Sequence, residues 1–288
     1  MKTSVVAVAA VVTALSVASP NVSMAMDLKL EGKTALVTGS TAGIGYATAK
    51  ALLQEHAQVI INARTQESVD KAVASLKEAT GRAPLTFVGD MSKAEDAARL
   101  AKAFPDVDIL VNNVGRFMPK EFLQSTDQDW YDTFELNVMS GVRLARYYLP
   151  GMKRKNWGRI IFISSESALQ IPVESIHYGM SKAAEIAVAR GIAETVAQTG
   201  ITVNSILPGP TRDLDDPRTA EMAKRLGMKS VAEMEEQFFK TRRPTSLIKR
   251  FAHPDEVAAL VVYVASPLSS ATTGAALRVD GGVVKSAF

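Results

Sequence analysis

The sequence predicts an α/β protein with a doubly wound, seven-stranded parallel sheet and helices on both faces. Short apolar runs such as 160–163 do not alternate with polar residues, so these strands should be buried on both faces. Strand-like and helix-like segments alternate from Lys33 onward, which is typical of right-handed crossovers between parallel strands. A length of 288 residues with 47% hydrophobic content is ample for one large core.

The predicted strands are short apolar runs, with 35–37 and 59–61 as examples of their buried residues. They span 34–38, 58–62, 85–88, 108–111, 159–164, 201–206 and 276–279. The predicted helices span 43–55, 67–79, a segment that ends at 103, 128–152 and 178–198. Ser92 is predicted to cap the third helix, and Pro150 to lie near the end of the fourth or to kink it.

One segment, 213–245, interrupts this alternation. It is charged and is predicted to be partly helical. It directly follows the carboxyl end of the sixth strand, where ligands bind in open α/β sheets, so it is interpreted as a substrate lid. A solvent-facing pair of helices is the alternative.

Composition excludes several classes of site. The absence of cysteine excludes disulfides, thiolate catalysis and cysteine zinc sites. The three histidines, His56, His177 and His253, are far apart and follow no ligand spacing, so no metal site is expected. The net charge is +3, and the densest basic group, 153–155, is interpreted as a solvated helix end rather than a nucleic-acid surface.

A glycine-rich turn joins the first predicted strand to the first helix. Gly39 permits a tight turn, Gly43 lets backbone approach a pyrophosphate, and Gly45 lets the helix pack closely on the sheet. The helix N-terminus then offers unpaired N–H groups to an anion. After the second strand comes Arg64 where NAD enzymes place an acidic residue, and its guanidinium can grip a 2′-phosphate. The sequence therefore predicts a dinucleotide site that prefers NADP(H) to NAD(H).

A tyrosine and a lysine four residues apart form the candidate catalytic centre. Tyr178 and Lys182 share one face of a predicted helix. The ammonium favours the phenolate and lowers the phenol pKa, so the phenol could exchange a proton with a carbonyl or alcohol oxygen near neutral pH. Ser165 ends the fifth strand at the same sheet edge and could hold the substrate oxygen. Asn137 is a polar amide among apolar neighbours and needs partners if buried.

These residues occur in a set of ordered motifs. The motifs are Thr38-Gly39-x-x-x-Gly43-Ile44-Gly45, Asp90, Asn112-Asn113-Val114-Gly115, Asn137, Ser165, Tyr178-x-x-x-Lys182, Pro208-Gly209 and Asp280-Gly281-Gly282. Over 28–283 the chain resembles the short-chain dehydrogenase/reductase family, in particular its 3-oxoacyl-acyl-carrier-protein reductases. The resemblance implies a single-domain Rossmann fold over 26–288 and a homotetramer.

The resemblance also implies a role for each motif. Asn137 would anchor a water chain to Lys182, Ser165 would orient the carbonyl, Tyr178 would be the acid/base, and Lys182 would also bind the nicotinamide ribose. The residues implied in cofactor binding are Gly39, Thr41, Gly43, Ile44, Gly45, Arg64, Asp90, Met91, Asn112, Gly115, Tyr178, Lys182, Pro208, Gly209 and Thr211. The turn has no basic residue between Gly39 and Gly43, so the NADP prediction depends on Arg64. Glu166 and His177 are expected to point away from the site, because adjacent residues do not share a face.

Three functions are compatible with these residues. The first is an NADP(H)-dependent reductase of ketones or aldehydes, including 3-oxoacyl thioesters, and the second is an alcohol or sugar dehydrogenase running in the opposite direction. The third is a dinucleotide-binding redox sensor without turnover, against which Asn137, Ser165, Tyr178 and Lys182 argue. The apolar loop 169–173 predicts a partly hydrophobic small-molecule substrate.

Residues 1–25 differ from the rest of the chain. A basic residue at Lys2, an apolar run over 5–18 and small residues before a cleavage position after Ala25 are the parts of a secretory signal. The apolar run is too short for a membrane span. Because Met26 is a natural start, a mis-assigned start site is the second interpretation. A true signal would place the protein in the periplasm or outside the cell, whereas the intracellular supply of reduced NADP favours the cytoplasm.

Overall fold

Seven parallel strands form one sheet in the order β3-β2-β1-β4-β5-β6-β7. The computed structural model describes residues 27–287. The strands are β1 Thr34–Val37, β2 Gln58–Ala63, β3 Leu85–Val88, β4 Ile109–Asn112, β5 Gly158–Ile163, β6 Ile201–Pro208 and β7 Ala276–Val279. The predicted fold class is confirmed, and each predicted strand is present.

Helices connect the strands and cover both faces of the sheet. They are α1 Gly43–Gln54, α2 Gln66–Thr80, α3 Ala94–Ala103, α4 Asp127–Phe134, α5 Ser140–Lys155, α6 Ile176–Thr195, α7 Pro217–Arg225, α8 Val231–Thr241 and α9 Pro254–Ala265. Within residues 27–287, no helix is long and apolar enough to cross a membrane. The predicted signal peptide or mis-assigned start at 1–25 lies outside the described residues.

The sheet is buried on both faces because adjacent strand residues point to opposite sides. Val37 packs in a core with Leu52 of α1 and Val261 of α9. Its neighbour Leu36 packs in a second core with Leu144 of α5. Each fully buried aliphatic side chain of this kind contributes about 1.5–3 kcal/mol. This two-sided burial explains why the strand sequences are continuously apolar.

Two predictions about helices were wrong in detail. Ser92 does not cap α3, since Lys93 occupies the N-cap position and makes no side-chain cap bond. Ser92 instead donates from both N and Oγ to Oδ1 of Asp90. The predicted helix 128–152 is interrupted by a π-turn, Glu135–Met139, between α4 and α5. Pro150 lies inside α5.

The segment 213–245 is partly helical, as predicted. It contains α7 and α8, and it follows the carboxyl end of β6. Phe239 of α8 packs edge-on against Phe251, with ring centroids 5.1 Å apart. This small aromatic cluster gives the segment an apolar core of its own beside the main sheet.

Candidate active site

A large cleft lies along the carboxyl edge of the sheet. Its volume is about 1410 Å³. All but two of the predicted site residues line it: Gly39, Thr41, Gly43, Ile44, Gly45, Arg64, Asp90, Met91, Gly115, Ser165, Tyr178, Lys182, Pro208, Gly209 and Thr211. The exceptions, Asn112 and Asn137, are buried behind the wall. Parallel strands bring these residues together because all their carboxyl ends meet at one edge.

The glycine turn between β1 and α1 has the backbone geometry that its sequence predicts. Gly39 and Gly43 have φ of +61° and +55°, in the left-handed region that favours glycine. A Cβ at Gly45 would lie 2.5 Å from the carbonyl oxygen of Gly39. The N-cap residue of α1, Ala42, makes no side-chain cap bond. The first N–H groups of α1 are therefore available to an anion in the cleft.

Two asparagines hold this turn in place. Asn113 donates from Nδ2 to the carbonyl oxygens of Thr38 and Gly39, at 2.9 and 3.0 Å. Asn62 accepts from the N–H of Gly39 at 3.3 Å and donates to the carbonyl of Gly89 at 3.0 Å. Sequence reasoning assigned neither a positioning role. The available signal was a polar residue at or directly after the end of each apolar strand, Asn62 at the end of β2 and Asn113 after β4.

The end of the cleft that lies after β2 carries basic and hydroxyl side chains. Arg64 lines it together with Thr65, Ser68 and Lys71. The end of β2 presents no carboxylate, since residues 62–64 are Asn-Ala-Arg. Lys71 is paired with Glu67 at 2.7 Å on the exposed face of α2. Arg64 is thus the first basic residue after β2 in the chain and, unlike Lys71, has no acidic partner within residues 27–287.

Ser165, Tyr178 and Lys182 converge at the other end of the cleft. Nζ of Lys182 lies 5.8 Å from the centre of the Tyr178 ring. Burial raises the pKa of Tyr178, whereas the ammonium of Lys182 and a hydrogen bond with Ser165 lower it. The expected effect of Lys182 is present, but burial outweighs it, so the pKa lies above its ordinary value.

Lys182 has a buried acidic partner that sequence reasoning missed. Its Nζ donates to both carboxylate oxygens of Glu185, at 2.9 and 3.1 Å. It also donates to the carbonyl of Ile163 at 2.9 Å. The signal in the sequence was a glutamate three residues after Lys182, on the same helix face and flanked by alanine and isoleucine.

Asn137 lies in the π-turn and supports the site from behind. Its Oδ1 accepts from the N–H of Arg116 at 2.9 Å, and its Nδ2 donates to Oγ of Ser181 at 2.9 Å. A Cβ added at Gly115 would lie 3.0 Å from Nζ of Lys182 and 3.6 Å from Oδ1 of Asn137. Both polar atoms of the Asn137 amide therefore have hydrogen-bond partners, and Asn137 and Lys182 both lie beside Gly115.

The loop after β6 closes the catalytic end. A Cβ at Gly209 would lie 2.5 Å from the carbonyl oxygen of Asp280, so this loop packs directly on the loop after β7. Oγ1 of Thr211 donates to the carbonyl of Gly209 at 3.0 Å. Pro208, Gly209 and Thr211 thus form one wall of the cleft, at the position that the motif predicts.

Two polar residues next to the candidate catalytic residues, Glu166 beside Ser165 and His177 beside Tyr178, do not line the cleft. Glu166 is buried and accepts from Nε of Arg243 at 2.7 Å. His177 is buried against Trp130, with ring centroids 6.0 Å apart. Phe117, which sequence reasoning missed, does line the cleft and packs edge-on against Tyr178 with ring centroids 5.1 Å apart.

Comparison with known proteins agrees with this geometry. A family model described as enoyl-(acyl carrier protein) reductase matches residues 39–284. The uncharacterized oxidoreductase YvaG of Bacillus subtilis is 45% identical over 266 residues, covering 91% of this chain and 100% of YvaG. The 3-oxoacyl-[acyl-carrier-protein] reductase FabG of Aquifex aeolicus is 31% identical over 265 residues, covering 90% of this chain and 100% of FabG.

A solved structure shows the same relationship. L-sorbose reductase of Gluconobacter frateurii, complexed with NADPH and L-sorbose, has a TM-score of 0.83 and 33% identity, covering 91% of this chain and 100% of that one. Fold, cleft and relatives agree: the chain belongs to the short-chain dehydrogenase/reductase family and is an NAD(P)-dependent oxidoreductase.

Proposed function

We propose that this chain is an NADP(H)-dependent reductase of ketones or aldehydes, with Tyr178 as the acid/base. The observation that carries the proposal is the continuity of one cleft. It runs from the glycine turn and Arg64 to Ser165, Tyr178 and Lys182. A dinucleotide bound along this cleft would have its adenosine end at Arg64 and its nicotinamide end at Tyr178.

The residues present fit a dinucleotide. The turn has no side chain over Gly43, where a Cβ would meet no atom within 4 Å, and the N-terminus of α1 is uncapped by side chains. The turn and the helix N-terminus would hold the pyrophosphate, while Asp90 and Met91 would lie at the adenine. When bound, the nicotinamide supplies or accepts the hydride.

The side chains of this chain would then handle the proton. Ser165 would donate a hydrogen bond to the substrate oxygen and hold it beside Tyr178. Tyr178 would give its phenolic proton to that oxygen, and Lys182 would stabilise the phenolate that remains. In the oxidative direction the phenolate would take the proton back. Asn137 would hold the backbone of Arg116 and the Ser181 hydroxyl, and so fix α6 against the π-turn.

Arg64 supports a preference for NADP(H). A guanidinium can form two charge-assisted bonds to a 2′-phosphate, and no carboxylate at the end of β2 repels it. Thr65 and Ser68 line the same pocket and could add hydroxyl contacts. The relative L-sorbose reductase was solved with NADPH.

The substrate is proposed to be a small, partly apolar carbonyl compound. Phe117 beside Tyr178 provides one apolar surface. Leu169, Ile171 and Val173, in the loop after Ser165, are exposed and provide a second. The segment 213–245 is proposed to cover this region as a lid within a single domain spanning 26–288. A homotetramer in the cytoplasm is the proposed assembly and location.

Purified protein tests this function by binding and turnover. NADPH and NADH are titrated by fluorescence, and ketones, aldehydes and 3-oxoacyl thioesters are then screened by cofactor absorbance. Tyr178→Phe should retain NADPH binding and lose about 10²- to 10⁴-fold in turnover. Tyr263→Phe, at an exposed position on α9, is the matched control and should keep full activity. Tight NADPH binding without turnover in either direction would instead support the redox sensor.

A further inference from the structure

Glu185 is a buried carboxylic acid in the middle of α6. Its exposed fraction is 1%. Both of its oxygens accept from Nζ of Lys182, at 2.9 and 3.1 Å. Tyr178, Lys182 and Glu185 are spaced i, i+4 and i+7, so all three lie on one face of the helix. The acid therefore lies directly behind the proposed catalytic pair.

Neither charge of the Lys182–Glu185 pair is stable here without the other. A lone buried charge costs several kcal/mol, so each ion depends on its partner. Burial raises the pKa of Glu185 to about 7, against the opposing charge of Lys182. Burial also lowers the pKa of Lys182, but the charges of Glu185 and Tyr178 reverse this and leave that pKa above its ordinary value.

We propose that Glu185 is a positioning residue that keeps the Tyr178–Lys182 pair doubly protonated, and so ready to donate a proton to a carbonyl. This inference rests on the proposed function, because it takes Tyr178 as the acid. The negative charge of Glu185 favours the more protonated form of the Tyr178–Lys182 pair. This holds whether Tyr178 or Lys182 loses the first proton. Glu185 thereby favours carbonyl reduction over alcohol oxidation, which needs the phenolate.

Charges on the elements packed against α6 do not take over this role. Most are paired with one another: Glu166 with Arg243, Asp129 with Lys120, and Glu135 with Arg143. The π-turn contributes the neutral side chain of Asn137. Glu166 also raises the pKa of Tyr178, in the same direction as Glu185, but its own carboxylate is paired with Arg243.

Nuclear magnetic resonance titration of isotope-labelled tyrosine and lysine side chains tests the proposal without any substrate. Tyr178→Phe and Lys182→Met assign the two signals. In Glu185→Gln, which keeps the shape but removes the charge, the pair should lose its first proton about one to three pH units lower. The alkaline limb of the carbonyl reduction profile should move in the same direction.

Two control variants accompany this measurement. Glu185→Asp retains the carboxylate and should titrate close to the wild type. Glu194→Gln, at an exposed position on the same helix, should leave the titration unchanged. An unchanged first proton loss in a natively folded Glu185→Gln would overturn the proposal. If that variant does not fold, Glu185→Asp decides. The proposal would be overturned if the pair in Glu185→Asp lost its first proton at a pH as low as that expected for Glu185→Gln.

The outcomes separate this inference from the function on which it rests. Turnover that survives Tyr178→Phe would refute the proposed function. An inactive Tyr178→Phe, combined with an unmoved titration in Glu185→Gln, would refute the role of Glu185 alone.

Discussion

Nε of Arg243 donates to Oε1 of Glu166 at 2.7 Å, and both side chains are largely buried. Glu166 directly follows Ser165, whereas Arg243 follows α8 in the proposed lid. The second carboxylate oxygen of Glu166 accepts from Ser167 at 2.7 Å. This ion pair therefore joins the proposed lid to the loop that directly follows Ser165.

Removing one partner of this ion pair should destabilise the fold. Arg243→Met leaves the Glu166 carboxylate buried and unpaired, which should lower the free energy of unfolding by about 3–5 kcal/mol. Chemical denaturation measures this change. Arg242→Met is the control. Arg242 is exposed, and its ion pair with Glu174 is long, at 3.8 Å, so its loss should change stability little.

The double variant Glu166→Gln/Arg243→Met should recover part of the lost stability, since no lone charge remains. KM for the carbonyl substrate should rise in both variants, because the proposed lid is no longer tied to the loop after Ser165. Equal losses from Arg243→Met and Arg242→Met would contradict the importance of the buried pair.

A methyl group at Gly115 should disturb catalysis but not folding. It would lie 3.0 Å from Nζ of Lys182, the far end of a long side chain, so Lys182 would shift rather than the backbone. Gly115→Ala should lower kcat about tenfold to a hundredfold through misplacement of Lys182. Gly191→Ala is the control: its methyl group meets no atom within 4 Å, and it should stabilise α6 by about 0.5–1 kcal/mol with normal activity.

Removal of the guanidinium at Arg64 should affect one cofactor and not the other. Arg64→Ala should weaken NADPH binding about tenfold to a hundredfold, the loss expected for charge-assisted bonds, and leave NADH binding nearly unchanged. Fluorescence titration of both cofactors measures the ratio. Arg154→Ala, at an exposed position on α5, should change neither affinity. Equal weakening of NADPH and NADH would argue against a 2′-phosphate contact.

The capping box of α9 should make stability depend on acid pH. Hydrogen bonds from Arg250 and from the backbone of His253 lower the pKa of Glu256 from 4.5 to about 2. A lowered pKa means that the stabilisation is present above pH 4.5 and is lost as the pH falls toward 2. Glu256→Gln should cost about 1 kcal/mol at neutral pH, given its partial exposure. The difference in Tm from the wild type should shrink on acidification, and a difference independent of pH would contradict the assignment.

The sheet and most of the cleft were predictable from local patterns. Continuous apolar runs identify buried strands, and Gly39, Gly43 and Gly45 need backbone freedom that few other residues offer. The π-turn was not predictable, because 135–139 contains no glycine or proline that would mark a break in an ordinary α-helix. Ser92 has the chemistry of a helix cap, but Asp90 competes for both its hydrogen-bond donors.

Glu185 was missed for a different reason. A glutamate on a helix is usually solvated, and its burial depends on where β5 and the π-turn pack on α6. The helical spacing brings Glu185 to Lys182, but only the tertiary structure buries both side chains. The pKa of Tyr178 likewise depends on burial, which the spacing of Tyr178 and Lys182 does not encode.

The connection between β6 and β7 gives the chain room to change its substrate range. It holds α7, α8 and α9, while β6 and β7 pair through main-chain contacts such as Ile206 with Leu277. Within this connection, the loop 226–230 joins α7 to α8. Doubling the length of a flexible loop adds only about 0.6 kcal/mol of closure entropy. Insertions and deletions between α7 and α8 should therefore be tolerated during evolution, so that new substrates can be accommodated while the sheet and the cofactor cleft stay the same.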